Sequence, residues 1–303
     1  MAAAAFLYHL FAAVTLISLG LHHLVSTTRN FLKSPTAFLA KPYHPFPSSD
    51  PRLKHLPLYL TALSLLAASF RYALSSSLSD PLIRGSSPVH HFLSLLTSSV
   101  LLLFLLLTFL PLFPLVPSDL VFASAAAAFF LLSSASSAAS SALLSLLQAK
   151  LFSTSSLLSL LSSLSCLILS LRPSSFVADV VLAASVCLQG FWNLQTGLSL
   201  YVESFIPEGC HLLLDVASGV EGSTKCDVEE SGLRAAALLD VVFVGYVIVV
   251  VLIAVVVYAF QARGLGIRRL GSYEALSTNG GDGEIGHGHG SVIQMKALTG
   301  TQA

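Results

Sequence analysis

The sequence predicts an all-α protein, a polytopic membrane helix bundle with seven transmembrane helices, the amino terminus outside and the carboxyl tail in the cytosol. Composition is the first observation: 54% of the 303 residues are hydrophobic and only 10% charged, against roughly 25% charged in an ordinary soluble domain. Mean hydropathy is +0.82. The second observation is the length of the apolar windows, since a helix needs about 20 residues to cross the hydrocarbon core. The third is the placement of Lys and Arg. With the amino terminus outside, ten basic residues fall inside (Arg29, Lys33, Lys41, Arg52, Lys54, Arg172, Arg263, Arg268, Arg269 and Lys296) and four outside (Arg84, Lys150, Lys225 and Arg234). Loops rich in Lys and Arg stay in the cytosol, so this asymmetry sets the orientation.

The windows run over 4–25, 56–76, 90–116, 119–146, 155–171, 176–202 and 236–260. The first lacks a basic residue before Arg29 and carries His9 and the pair His22-His23. It therefore reads as a retained helix and not a cleaved signal peptide, which would carry a basic start and a shorter apolar core. Between Lys33 and Lys54 the chain has five prolines, which excludes a regular helix and predicts an ordered or extended cytosolic loop. Pro111, Pro114 and Pro117 divide the third window from the fourth, and Lys150 divides the fourth from the fifth. Runs such as Leu101 to Leu107 do not alternate apolar and polar residues, which sets aside a transmembrane β-barrel.

The fourth and fifth windows hold "SSASSAASS" and "SLLSSLSC". Small residues let helix backbones approach, and serine hydroxyls bond the carbonyl one turn back, so close packing accounts for them without a pore. The sixth-to-seventh connection is acidic and contains Cys210 and Cys226, whereas Cys166 and Cys187 lie in apolar windows. On the outer side a Cys210–Cys226 disulfide is permitted; its 15-residue interval is worth about 3 kcal/mol in the chain-entropy view. Two free thiols are the alternative. The chain divides into a transmembrane domain, 1–263, and a Gly-rich tail, 264–303, that reads as disordered and cytosolic.

The sixth window, "LQGFWNLQTGLSLYV", places Gln189, Trp192, Asn193, Gln195 and Thr196 at membrane depth. An unpartnered amide in hydrocarbon costs roughly 2–7 kcal/mol, so these groups should face protein, a cavity or a ligand. Positions 189, 193 and 196 share one helix stripe, with Trp192 beside it. Two readings compete: a polar cavity or translocation route along the sixth helix, and interhelical clamps worth roughly 0.6–2 kcal/mol each. The clamp is favoured. Near the inner face Asp179 begins the sixth helix where the first delivers His22 and His23; a carboxylate–imidazole contact forms if those helices adjoin, and interfacial solvation of all three is the alternative.

These blocks also carry a resemblance. "LQGFWNLQTGLSLY" followed by "IPEGCH", with "LGLHHLVSTTRNFLKSP" at the end of the first helix, resembles the plant branch of the transmembrane protein 45 family, seven-helix membrane proteins of undefined activity. The resemblance implies an integral membrane protein and, from some plant members, an association with pathogen response. Members usually carry His and acidic residues around the fourth and fifth helices, where this chain has serine and alanine.

The function expected is that of a multi-pass membrane scaffold or interaction protein, in the endomembrane system or the plasma membrane, with the lipid bilayer as its one assigned partner. A transporter or channel with its site on the sixth helix is the alternative. An intramembrane metal hydrolase ranks below both. His22-His23 and His90-His91 fall at opposite bilayer faces and the seventh helix has no His, while such chemistry needs about three ligands on one ion. The loop offers only His211, and His287 and His289 sit in the tail, so the sequence assigns no metal, no cofactor and no catalytic residue. No Gly-rich phosphate loop follows a strand signal, and zero net charge with a pI near 7.1 gives nucleic acid no footing.

Overall fold

A computed structural model describes residues 2–48, 50, 53–78, 88–113, 115–142, 145–212 and 224–265. Seven helices among them are long and apolar enough to cross a membrane: α1 (Ala2–Lys33), α2 (Leu56–Leu78), α3 (Pro88–Phe109), α4 (Ser118–Ala142), α5 (Leu146–Leu171), α6 (Phe176–Tyr201) and α7 (Glu229–Gly264). The chain clusters into two units, Met1–Ile267 and Arg268–Ala303. The second unit, with His287 and His289, lies outside the described residues.

Helices α1 to α6 form a closed ring in which each packs on its neighbour in sequence and α6 returns to α1. Seam strength differs around the ring: α4–α5 and α1–α6 are the most extensive contacts, and α1–α2 is the least. α7 stands outside, against α1, α5 and α6. Its remaining faces are exposed, with Val241, Val251, Val256 and Phe260 all open, as suits a helix bathed in lipid.

The α1–α6 seam is close because glycine allows it. A Cβ built on Gly190 would lie 2.7 Å from Ile17 Cγ1 and 2.9 Å from Ile17 N, and one on Gly20 would lie 2.8 Å from Cys187 N and 2.9 Å from Ala183 O. Removing Cβ on both sides lets backbone meet backbone, the usual device of membrane helix pairs. Serine joins the other helices. Ser162 Oγ lies 2.8 Å from Ser185 Oγ, Ser163 donates to Ala126 O at 2.8 Å, and Ser133 Oγ lies 3.0 Å from Ser156 Oγ.

The division at Lys150 needs correction. α4 ends at Ala142 and α5 begins at Leu146, so Lys150 lies within α5, its Nζ 2.7 Å from Asp240 Oδ1 of α7. A charge near a helix end does not terminate a helix when its long stem can reach a partner at the rim. Likewise α7 begins seven residues before the window at 236, because Glu229 and Glu230 occupy its first turn, where the helix dipole favours acids.

The described part of the proline-rich connection is ordered. Phe38 and Ala40 are buried among α4, α5 and α6, Phe176 stacks on Phe31 with centroids 4.0 Å apart, and Ala40 N donates to Pro173 O at 2.8 Å. Further along, Phe46 N and Tyr43 Oη both donate to Lys54 O, at 2.9 and 3.0 Å. Between α6 and α7 a short antiparallel pair, β1 (Cys210–Leu212) and β2 (Thr224–Cys226), departs from a purely helical chain. Cys210 and Cys226 are opposite each other in its register and are joined by a disulfide, while Cys166 and Cys187 are free and buried.

Candidate functional site

Each amide of the sixth helix meets a different helix. Gln189 Nε2 donates to Ser162 Oγ of α5 at 2.8 Å. Asn193 grips α1 at two points: its Nδ2 donates to His9 O at 3.2 Å, and its Oδ1 lies 2.9 Å from His9 Nδ1, which fixes the ring as its Nδ1–H tautomer. Gln195 turns to α7 and accepts from Tyr246 Oη at 2.9 Å. Trp192, 1% exposed, donates its indole N–H to Leu151 O at 2.9 Å and sets its ring edge-to-face with Phe243.

Thr196 does not extend the stripe. Its hydroxyl donates back to Trp192 O at 2.9 Å, the local bond that threonine makes in a helix when nothing better adjoins. Next to His9, Arg71 Nη2 donates to Tyr201 Oη at 2.9 Å and the guanidinium lies 4.7 Å from the Tyr8 ring centroid. An aromatic cradle of this kind holds a cation at depth. The side chains of His90 and His91 lie outside the described set.

At the other end of α1 a second polar group surrounds Asp179, which is 0% exposed. Ser175 caps α6 by accepting from Ala178 N, which places Asp179 in the first turn. His23 Nε2 lies 2.7 Å from Asp179 Oδ1, and Thr27 Oγ1 donates to Oδ2 at 2.9 Å. His22 does not join them. Its Nε2 lies 3.0 Å from the carbonyl oxygen of His44, a residue of the proline-rich connection whose ring meets His23 edge-on, centroids 5.1 Å apart. Burial, reinforced by the neighbouring His23, pushes His44 down to about 4, so its ring is neutral near pH 7.

Sequence reasoning missed His44, Thr27 and the partnership of His9 with Asn193. For His44 a signal was present in "KPYHPFP": prolines on both sides restrict the backbone, and a histidine held that way between aromatics is poised for a fixed contact. For His9 and Thr27 no local signal exists, because both contacts depend on the α1–α6 seam.

Between the two polar groups lies a cavity of about 500 Å³, lined by residues of α1 to α6 and by none of α7. Its walls are chiefly apolar, such as Leu16, Leu65, Leu101 and Phe129, with Gln189 on the α6 side and His22, His23 and His44 at one end. Only one half of the Gln189 amide is engaged among the described residues. A few polar groups set in an apolar hollow of roughly 300–1,000 Å³ is the usual build of a small-molecule site.

Residues 118–259 match the model of a family of unknown function, DUF716. The matched segment takes in α4, α5, α6 and most of α7, and so Asp179, Gln189, Trp192 and Asn193. His9 and His23, the partners of Asn193 and Asp179, come from outside it, as does His44. No curated protein matches the chain.

Proposed function

We propose that this chain is a membrane-embedded binding protein, of carrier type, that accommodates an amphiphilic small molecule inside the ring of α1 to α6. The cavity of about 500 Å³ carries this reading. A protein acting only as a scaffold has no use for a hollow centre, since close packing there adds dispersion energy and stability. Apolar walls would take the body of the ligand, and the free half of the Gln189 amide would bond its polar group. The scaffold reading retains one specific support: Gln189 and Asn193 both clamp neighbouring helices. The resemblance to the plant branch of the transmembrane protein 45 family adds a proposed plant setting and a link to pathogen response.

Replacing the amides separates the two readings. In the chain carrying Gln189→Leu and Asn193→Val, loss of the clamps costs roughly 1–3 kcal/mol together. Wild-type chain purified in detergent is expected to retain a lipid-like amphiphile detectable by mass spectrometry of its organic extract. Gln189→Leu alone, and Ser64→Phe projecting into the cavity from α2, should leave folded protein with at least tenfold less of it. Equal retention by all variants, or an empty wild type, would return the scaffold to first place.

The proposed orientation places the disulfide hairpin outside and the tail in the cytosol. A glycosylation acceptor introduced after Glu221 is then expected to be modified in cells and one in the tail to remain bare. The opposite pattern reverses the orientation.

A further inference from the structure

We propose that His23, His44 and Asp179 form a binding site for a divalent transition-metal ion of the zinc class. Each offers one ligand atom, and these atoms lie within 4.8 Å of one another. Zinc takes His nitrogen and carboxylate oxygen at about 2.0–2.2 Å in a tetrahedron, which spaces ligand atoms about 3.3 Å apart. His23 Nε2 and Asp179 Oδ1 already lie 2.7 Å apart, and all three ligand atoms fall within 4.8 Å of one another, close to that spacing. An ion would insert between groups already gathered.

Several details distinguish this cluster from a chance gathering of polar groups. His44 Nε2 is buried and has no hydrogen-bond partner among the described residues, a condition that calls for a missing partner. The ligands are also braced. Thr27 Oγ1 donates to the second carboxylate oxygen of Asp179, and His22 Nε2 meets the backbone carbonyl of His44, which fixes the backbone that carries the His44 ring. Outer partners of this kind orient metal ligands and raise affinity.

The donor set also selects the ion. Two imidazoles and one carboxylate suit zinc and its neighbours, whereas calcium and magnesium take oxygen ligands. The three ligands come from α1, the proline-rich connection and α6, so the ion would fasten the connection over the end of the ring. Three protein ligands leave one tetrahedral position open. His23 and His44 line the cavity, and that position would take water or a polar group from within it. This inference stands apart from the amphiphile reading, because an ion can bind whether or not the cavity is occupied.

The test uses the full chain, purified without a polyhistidine tag, stripped with EDTA and titrated with zinc chloride and, separately, cobalt chloride. One zinc per chain is expected by elemental analysis, and the cobalt form should show the intense visible bands of a four-coordinate site. His44→Gln should weaken zinc binding at least 100-fold. Thr27→Val, which removes only a brace, should weaken it about 10- to 100-fold. Both variants should elute as the wild type does in gel filtration. His287→Gln with His289→Gln removes the tail imidazoles and should leave affinity unchanged. Absence of stoichiometric zinc, or binding that survives His44→Gln and vanishes with the tail pair, would overturn the assignment.

Discussion

Gly190→Leu is expected to cut the yield of monodisperse protein severely. Two of the three atoms nearest a Cβ at this position are backbone, Ile17 N at 2.9 Å and Ala13 O at 3.0 Å, and backbone atoms cannot rotate aside. The helices would have to separate. Separation stretches the bonds that cross the seam, His9 to Asn193 and His23 to Asp179. Overpacking of about 1–3 kcal/mol then combines with rupture of the buried Asp179 contacts, about 3–5 kcal/mol, against a total stability of about 5–15 kcal/mol. Gly245→Leu is the control, since a Cβ there meets nothing within 4 Å, and it should behave as wild type. Fluorescence-detected gel filtration of the two variants decides the matter: indistinguishable profiles would mean that α1 and α6 do not approach this closely.

The second large effect concerns Asp179, compared with Asp240 at the rim. Asp179→Ala leaves His23 Nε2 and the fully buried Thr27 hydroxyl without their acceptor. Truncating one partner of such a buried contact costs about 3–5 kcal/mol. Asp240→Ala should cost about 0–1 kcal/mol, because the Asp240 side chain is 58% exposed and its partner Lys150 32%. Thermal unfolding in detergent, with EDTA throughout so that no ion contributes, compares the two. Equal shifts in Tm would place Asp179 in contact with water.

What could be read from the sequence follows from which forces act locally. Helix number and approximate extent are encoded in windows of about 20 residues, so all seven helices were visible in advance. Boundaries were less so. Lys150 looked like an end, and only the position of Asp240 on α7 explains why α5 continues through it. At the candidate site, the need of Gln189 and Asn193 for partners could be deduced from transfer energetics alone, but not which helix supplied them. Asn193 reaches back 184 residues to His9, and no periodicity carries information over that separation. The cavity was equally hidden, since a hollow is the absence of side chains at the meeting point of six helices.

The return of α6 to α1 has a consequence for the order in which the protein assembles. His23 and Asp179 are 156 residues apart in sequence, and synthesis at about 5–20 residues per second separates their emergence by about 8–30 s. Throughout that interval α1 resides in the membrane with His9, His23 and Thr27 lacking the acceptors and donors of α6 that they meet in the finished ring. The most extensive long-range seam is thus among the last to close. Until then α1 must be sheltered by the insertion machinery or hold its imidazoles at the interface, which makes the first helix the step at which biogenesis of this protein is most exposed to failure.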